Sequence, residues 1–221
     1  MNTYFFLKRL IDIAASLIGG ILTFPLWFCI AIAVKLDSKG PILFRQKRVG
    51  AHKKYFQILK FRTMRIDTPH DMPTHLLTNP DQWLTRVGKF LRKTSLDELP
   101  QIWNVLVGDM SLVGPRPALW NQYDLIEARD RQIGKYGMTA NDVRPGITGW
   151  AQIIGRDELS IEEKSRRDGE YVKTMSLKMD AICFFGTIRS VIRHEGVVEG
   201  GAERLRANVM ERVDPKEELR R

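Results

Sequence analysis

Two adjacent acids, Asp97 and Glu98, sit between a threonine-serine pair and a proline in Thr94-Ser95-Leu96-Asp97-Glu98-Leu99-Pro100-Gln101. They have a plain structural reading. Ser95 and Glu98 have capping-box spacing, and Pro100 fits a first helical turn, which makes Asp97 a candidate N-cap. They also have a chemical reading. A helix N-terminus favours anions and would keep Asp97 ionised. An ionised carboxylate can attack phosphorus to give an acyl phosphate. Glu98 beside it can hold Mg²⁺, which takes carboxylate and phosphate oxygens and neutralises charge growing on a phosphate.

Phosphate chemistry needs cations, and the loops supply them. Arg116 is held between Pro115 and Pro117, and Arg144 precedes Pro145-Gly146. Proline narrows the backbone and lowers the entropy lost in presenting a side chain. Arginine forks grip phosphate at two points. Lys60 and Arg62 lie at the end of an alternating run, in Lys60-Phe61-Arg62-Thr63-Met64. For any one of these, a surface charge is the commoner explanation. Several rigid basic loops in one chain weaken that explanation.

Other chemistries find no support. The chain has no Gly-x-Gly-x-x-Gly and no P-loop. Its histidines, His52, His70, His75 and His194, lack zinc spacing, and no Ser-His-Asp set is apparent. Cys29 and Cys183 lie in apolar surroundings and do not form a disulfide framework.

The elements that must position these residues begin with an apolar N-terminus. Residues Ile13 to Val34 form a run of 22 without a charge. About 20 residues cross a bilayer as a helix. A cleaved signal peptide, a straight span and a helix that re-enters the same face compete. The run is longer than a signal-peptide core, although Ala31-Ile32-Ala33 has the look of a cleavage site. Pro25 deprives the Ile21 carbonyl of its partner, so a kink is expected, with Thr23 close enough to bond a freed group. Lys8 and Arg9 precede the run, and a basic stretch follows it. Positive charge stays in the cytoplasm, so basic flanks on both sides favour the re-entrant form.

That basic stretch, Ser38 to Ile66, holds nine Lys or Arg residues and no acid, an excess equal to the +9 net charge of the 221-residue chain. It suits anionic lipid headgroups, with some members left for substrate. Nucleic acid matches the charge, but no binding module is present and the apolar run argues against it. With 43% hydrophobic and 28% charged residues, the chain is neither disordered nor polytopic.

The remainder reads as a hairpin of Ile42–Arg48 and Tyr55–Phe61 around Gly50, a loop over Thr68–Pro80, and a helix over Asp81–Leu91 opened by Asn79-Pro80. A further helix runs from Ser95–Asp97 to Gly108, and another over Ala118–Arg131. Gly114–Pro117 and Arg144–Trp150 read as loops. Ser160–Thr174 is a helix with a Ser160/Glu163 capping box, and Leu177–Arg193 is an apolar helix for the core or a membrane surface. Glu203–Arg221 is a charged tail. The expected class is α+β and mainly helical: a re-entrant helix over 1–37, a small cytosolic α/β catalytic domain over 38–199 with amphipathic surface helices, and the tail over 200–221.

These motifs resemble the bacterial sugar transferases, the monotopic phosphoglycosyl transferases. The matching segments are the apolar helix with Pro25, Lys60–Met64, Arg92–Gln101, Asn104–Pro117, Arg144–Trp150 and Asp168-Gly169-Glu170-Tyr171-Val172. The resemblance covers about residues 1–199. It implies that Asp97 attacks the β-phosphate of a UDP-sugar, that UMP leaves, and that polyprenyl phosphate takes the phosphosugar from the aspartate. It implies Mg²⁺ on Glu98, phosphates held by Lys60, Arg116 and Arg144, and a re-entrant helix at the cytoplasmic face of the bacterial inner membrane. The substrate-facing set expected from these motifs is Lys60, Arg62, Arg92, Arg116, Arg144, Thr148 and Asp168. The product would be the first lipid-linked unit of a glycan. Where the family often has Ser before this proline, the chain has Phe24. A non-catalytic, membrane-anchored nucleotide-sugar-binding protein is the competing reading, and a homodimer is left open, as is the sugar.

Overall fold

The computed structural model describes residues 3–68, 80–155 and 159–193. The expected loop over Thr68–Pro80, with His70 and His75, falls almost wholly outside them, as do His194 and the charged tail. Chain order runs α1 (Thr3–Asp37), β1 (Leu43–Val49), β2 (Tyr55–Phe61), α2 (Arg86–Lys93), α3 (Gln101–Val107), β3 (Ser111–Val113), α4 (Tyr123–Asp130), β4 (Gly146–Thr148), α5 (Trp150–Ile154), α6 (Ile161–Thr174) and α7 (Leu177–Arg193). The protein is mainly helical with two small sheets. β1 and β2 are antiparallel with Phe44 opposite Lys60, and β3 and β4 are parallel.

α1 is one helix of 35 residues with Pro25 inside it. Thr23 Oγ1 donates to the Gly19 carbonyl at 2.6 Å and accepts from Trp27 Nε1 at 3.0 Å, so it bonds one turn back rather than to Ile21. One face of α1 is docked along its length. Lys8 Nζ pairs with Asp180 of α7 at 2.8 Å. Arg9 donates to the Val105 and Leu106 carbonyls at 2.6 and 2.9 Å, where the C-terminus of α3 favours a cation. Asp12 accepts from the Leu112 amide at 3.0 Å and Asp37 from the Val87 amide at 3.0 Å. Ile30 and Val34 join Phe61 and Leu91 in a core cluster. The opposite face, with Leu17, Ile18, Ile21, Leu22, Phe24 and Phe28, is exposed.

Several elements differ from the sequence reading. The helix over Asp81–Leu91 is instead a 3-10 turn at Pro80–Trp83 followed by α2. The Thr85 amide bonds the Thr63 carbonyl at 3.0 Å, which keeps 84–85 extended, and the Thr85 side chain then caps α2 through the Gly88 amide. Arg144–Trp150 is not all loop, because Gly146–Thr148 pairs with Ser111–Val113. The backbones meet closely there: a Cβ on Gly149 would strike the Gly114 carbonyl. The helix expected from Ala118 starts only at Tyr123, since Leu119 bridges to Arg48 of β1. The hairpin, α6 with its complete capping box, and α7 follow the sequence reading.

Candidate active site

The Asp97-Glu98 segment is not capped as its sequence pattern suggests. Ser95 leaves α2 in the left-handed region at φ 56° and makes no side-chain cap bond. Leu96–Glu98 form a single 3-10 turn, and α3 starts at Gln101 after Pro100. Asp97 is therefore not the N-cap of a long helix, and a helix terminus is not what controls its charge. Ser95 and Glu98 do not form their box because the Glu98 carboxylate is engaged elsewhere.

Glu98 Oε1 accepts from Lys60 Nζ at 2.6 Å and from Arg116 Nη2 at 2.9 Å. Lys60 comes from the end of β2, Glu98 from the 3-10 turn and Arg116 from the proline-flanked loop, so one carboxylate oxygen joins three segments. Burial pushes the Glu98 carboxyl up, but Arg116 and Lys60 outweigh it and hold the group well below the usual range. Asp97, beside it, is only 7% exposed. Burial raises its carboxyl above the ordinary aspartate range; Lys60 opposes, Glu98 adds to the rise, and Arg92 and Arg116 oppose. The two neighbours are thus driven apart, one firmly ionised and one more basic. Such a separation is what allows paired acids to take different roles.

The remaining predicted residues divide. Arg92 lies among the charges that act on Asp97, and its Nε bonds Thr63 Oγ1 at 3.0 Å. Arg62 is buried and spends its guanidinium on three carbonyls, Pro41, Lys39 and Ser38, at 2.7, 2.5 and 2.8 Å. It clamps the exit from α1. Arg144 Nε donates to the Gly108 carbonyl at 2.9 Å and so ties β4 to the C-terminus of α3, beside Arg9. Thr148 bonds Thr187 of α7. Asp168 is buried against Arg129, whose Nε and Nη2 reach Asp168 Oδ2 at 2.9 and 2.6 Å. The same Nη2 holds the Arg116 carbonyl at 2.9 Å. Asp168 thus reaches the site through Arg129 and the Arg116 backbone. Arg129 and Arg48, which also grips this loop, carry no motif signal of their own. Their contacts join residues far apart in sequence.

For Mg²⁺, the described residues hold no group of three or more His, Cys, Asp or Glu side chains fit to bind a metal. Mg²⁺ does not need one when substrate phosphates and waters complete its shell. Glu98 Oε2 takes part in no hydrogen bond among the described residues, while Oε1 serves Lys60 and Arg116. The oxygen donors fit a metal that arrives with a phosphorylated substrate.

The model of the bacterial sugar transferase family matches residues 3–194, a stretch that contains every residue of this cluster. The chain belongs to that family. It is 42% identical over 192 residues, 86% of its length, to the UDP-N-acetylgalactosamine-undecaprenyl-phosphate N-acetylgalactosaminephosphotransferase of Aeromonas hydrophila, covering 44% of that protein. It is 44% identical over 190 residues to the UDP-glucose:undecaprenyl-phosphate glucose-1-phosphate transferase of Escherichia coli K12, which covers 82% of the chain and 39% of the relative. It is also 40% identical over 192 residues to an uncharacterized sugar transferase, EpsL, of Bacillus subtilis, covering 90% of that protein. The chain therefore spans less than half of the first two relatives and nearly all of the third.

Proposed function

We propose that this chain transfers a sugar-1-phosphate from a UDP-sugar to undecaprenyl phosphate, releasing UMP. The observation that carries the reading is the buried Asp97 among Lys60, Arg92 and Arg116, with Glu98 ionised beside it. The two relatives of stated activity use UDP-sugars and undecaprenyl phosphate. An Asp97 oxygen attacks the β-phosphorus, and the bond from that phosphorus to the oxygen bridging the two phosphates breaks. UMP departs with that oxygen. An oxygen of the lipid phosphate then attacks the same phosphorus, the aspartyl bond breaks, and Asp97 is returned as a carboxylate. A raised basicity favours the attack, provided the group is ionised. Lys60, Arg92 and Arg116 stabilise charge on the phosphoryl oxygens, with donors fixed before the reaction. Glu98 would hold Mg²⁺, which would supply charge neutralisation at the phosphates. Asp168 and Arg129 set the position of Arg116, and Arg62 and Arg144 hold the surrounding framework.

The membrane reading rests on α1. Its most apolar window is only 11% buried, unlike the core helix of a soluble protein. A straight helix of this length would extend for about 50 Å, well beyond a ~30 Å hydrocarbon core. Yet Lys8 at one end and Asp37 at the other are both bonded to the same body. A straight span would place Asp180 and Val87, their partners, on opposite sides of the bilayer. This supports a re-entrant helix over Thr3–Asp37, with the catalytic body from residue 38 at the cytoplasmic face. Phe184, Phe185 and Ile188 of α7 are exposed and give the body a second apolar surface for the lipid. The basic stretch is not a uniform lipid strip, because Arg48, Lys60 and Arg62 turn to contacts within the body. Single cysteines placed near Lys8 and near Lys39 should both react with an impermeant reagent only from the cytoplasmic side. Labelling from opposite sides would mean a straight span.

The activity is tested by UMP release from a panel of UDP-sugars with Mg²⁺ and undecaprenyl phosphate. Release with one or a few sugars is expected and names the sugar. Folded protein that releases UMP from none of them would support the non-catalytic binding reading.

A further inference from the structure

Arg48 is one residue from the end of β1, opposite Phe56. Its Nη1 donates to the Pro117 carbonyl at 3.1 Å and its Nη2 to Gln46 Oε1 at 2.6 Å. The backbone grips the same segment, with the Val49 amide on the Ala118 carbonyl at 3.0 Å and a bridge from Arg48 to Leu119. Arg129 holds the Arg116 carbonyl. Two arginines from different elements therefore hold consecutive carbonyls, 116 and 117, beneath the Arg116 side chain.

Stability alone does not account for an arginine here. Arg48 Nε is buried with no hydrogen-bond partner among the described residues. Burial lowers the Arg48 guanidinium to about 9, the charge of Arg116 adds to this, and Glu98 opposes it. An unpaired buried donor and a nearby like charge both cost free energy. An apolar chain of similar length would avoid both costs. Arg116 shares the Glu98 carboxylate with Lys60, and both cations act on the charge of Asp97 beside it.

We propose that Arg48 is a positioning residue of the nucleotide-sugar site: it fixes the Pro117 carbonyl so that Arg116 faces the diphosphate. This rests on the reading above that the chain binds a UDP-sugar. Arg48 acts through the loop and through its field, not by reacting.

The test compares wild type, Arg48→Met and Arg48→Lys as full chains in detergent, with UDP and UMP affinities by calorimetry and Tm in the absence of ligand. Arg48→Met should weaken UDP binding about tenfold or more, and UMP binding less, because the second phosphate carries the extra charge. Its Tm should stay close to wild type, because losing the bonds to Pro117 and Gln46 offsets the relief of the unpaired buried N–H. Arg48→Lys, which keeps the charge but loses the fork, should recover part of the UDP affinity. An Arg48→Met protein with UDP affinity within about twofold of wild type would overturn the proposal. So would a Tm drop of several degrees with the UDP-to-UMP ratio unchanged, since that marks a merely structural residue. UMP release by wild type is measured alongside. Wild type that binds UDP but releases no UMP from UDP-sugars would refute the enzymatic reading and leave the Arg48 comparison decisive. Wild type that fails to bind UDP would overturn both.

Discussion

Asp97→Asn will abolish UMP release, by on the order of a thousandfold or more, without unfolding the protein. Asparagine matches the aspartate in shape but cannot attack phosphorus. Burial raises the folded-state Asp97 carboxyl above its ordinary value, so the folded protein prefers the protonated form. Stability from that preference is present below the unfolded value and is lost as pH rises through the raised one. At neutral pH the ionised Asp97 therefore costs stability, and Asp97→Asn should melt at or above the wild-type temperature. The difference should shrink as the pH falls towards the carboxylate range. The same shift places the acid limb of kcat/KM above the ordinary aspartate range, because the attacking carboxylate must be ionised. A variant that keeps near wild-type turnover would remove Asp97 from the mechanism. One that melts many degrees lower would make it a structural residue.

Burial raises the Asp168 carboxyl as it does Asp97, but here two Arg129 donors oppose it directly, and Asp168→Asn should destabilise the protein by about 3–5 kcal/mol, because it leaves the Arg129 guanidinium buried without a counter-charge. For a chain of this size that is roughly 10 °C in Tm. The carboxylate is 2% exposed and takes two donors from Arg129, so water cannot replace it. Arg129 also carries the Arg116 carbonyl, so KM for the UDP-sugar should rise in whatever protein remains folded. Replacing both partners with apolar residues of similar volume should recover much of the stability, since it removes the unpaired charge, but not the KM. Thermal melts and steady-state kinetics on the single and double variants separate the two effects. A single variant that melts within a degree or two of wild type would mean that the pair supports neither the fold nor the loop.

What could be read from the sequence was mostly local. The hairpin showed as alternating residues around Gly50, and the α6 start as Ser160 with Glu163. Asp97, Glu98, Lys60 and Arg116, which the fold brings together, stand out in the sequence because acids, lysine and proline-held arginine suggest phosphate chemistry within a few residues. What escaped depends on partners far along the chain. Thr85 is pulled out of a helix by Thr63, and Gly146–Thr148 becomes a strand only because Ser111–Val113 lies beside it. Three residues are too few for a strand period to show. Arg62, Arg144, Thr148 and Asp168 belong to motifs, yet their contacts are with the framework. The Asp97 helix cap failed for a similar reason. A long-range ion pair took Glu98 and left Ser95 in a left-handed turn.

The central claim is that the phosphosugar passes through Asp97. The most direct measurement uses a UDP-sugar radiolabelled at the β-phosphate, mixed with the protein and Mg²⁺ in the absence of lipid acceptor. The label should remain on wild-type protein as UMP appears, leave it for the lipid when undecaprenyl phosphate is added, and never attach to Asp97→Asn. Lipid product formed with no protein-bound label at any time, or label retained by Asp97→Asn, would contradict the account.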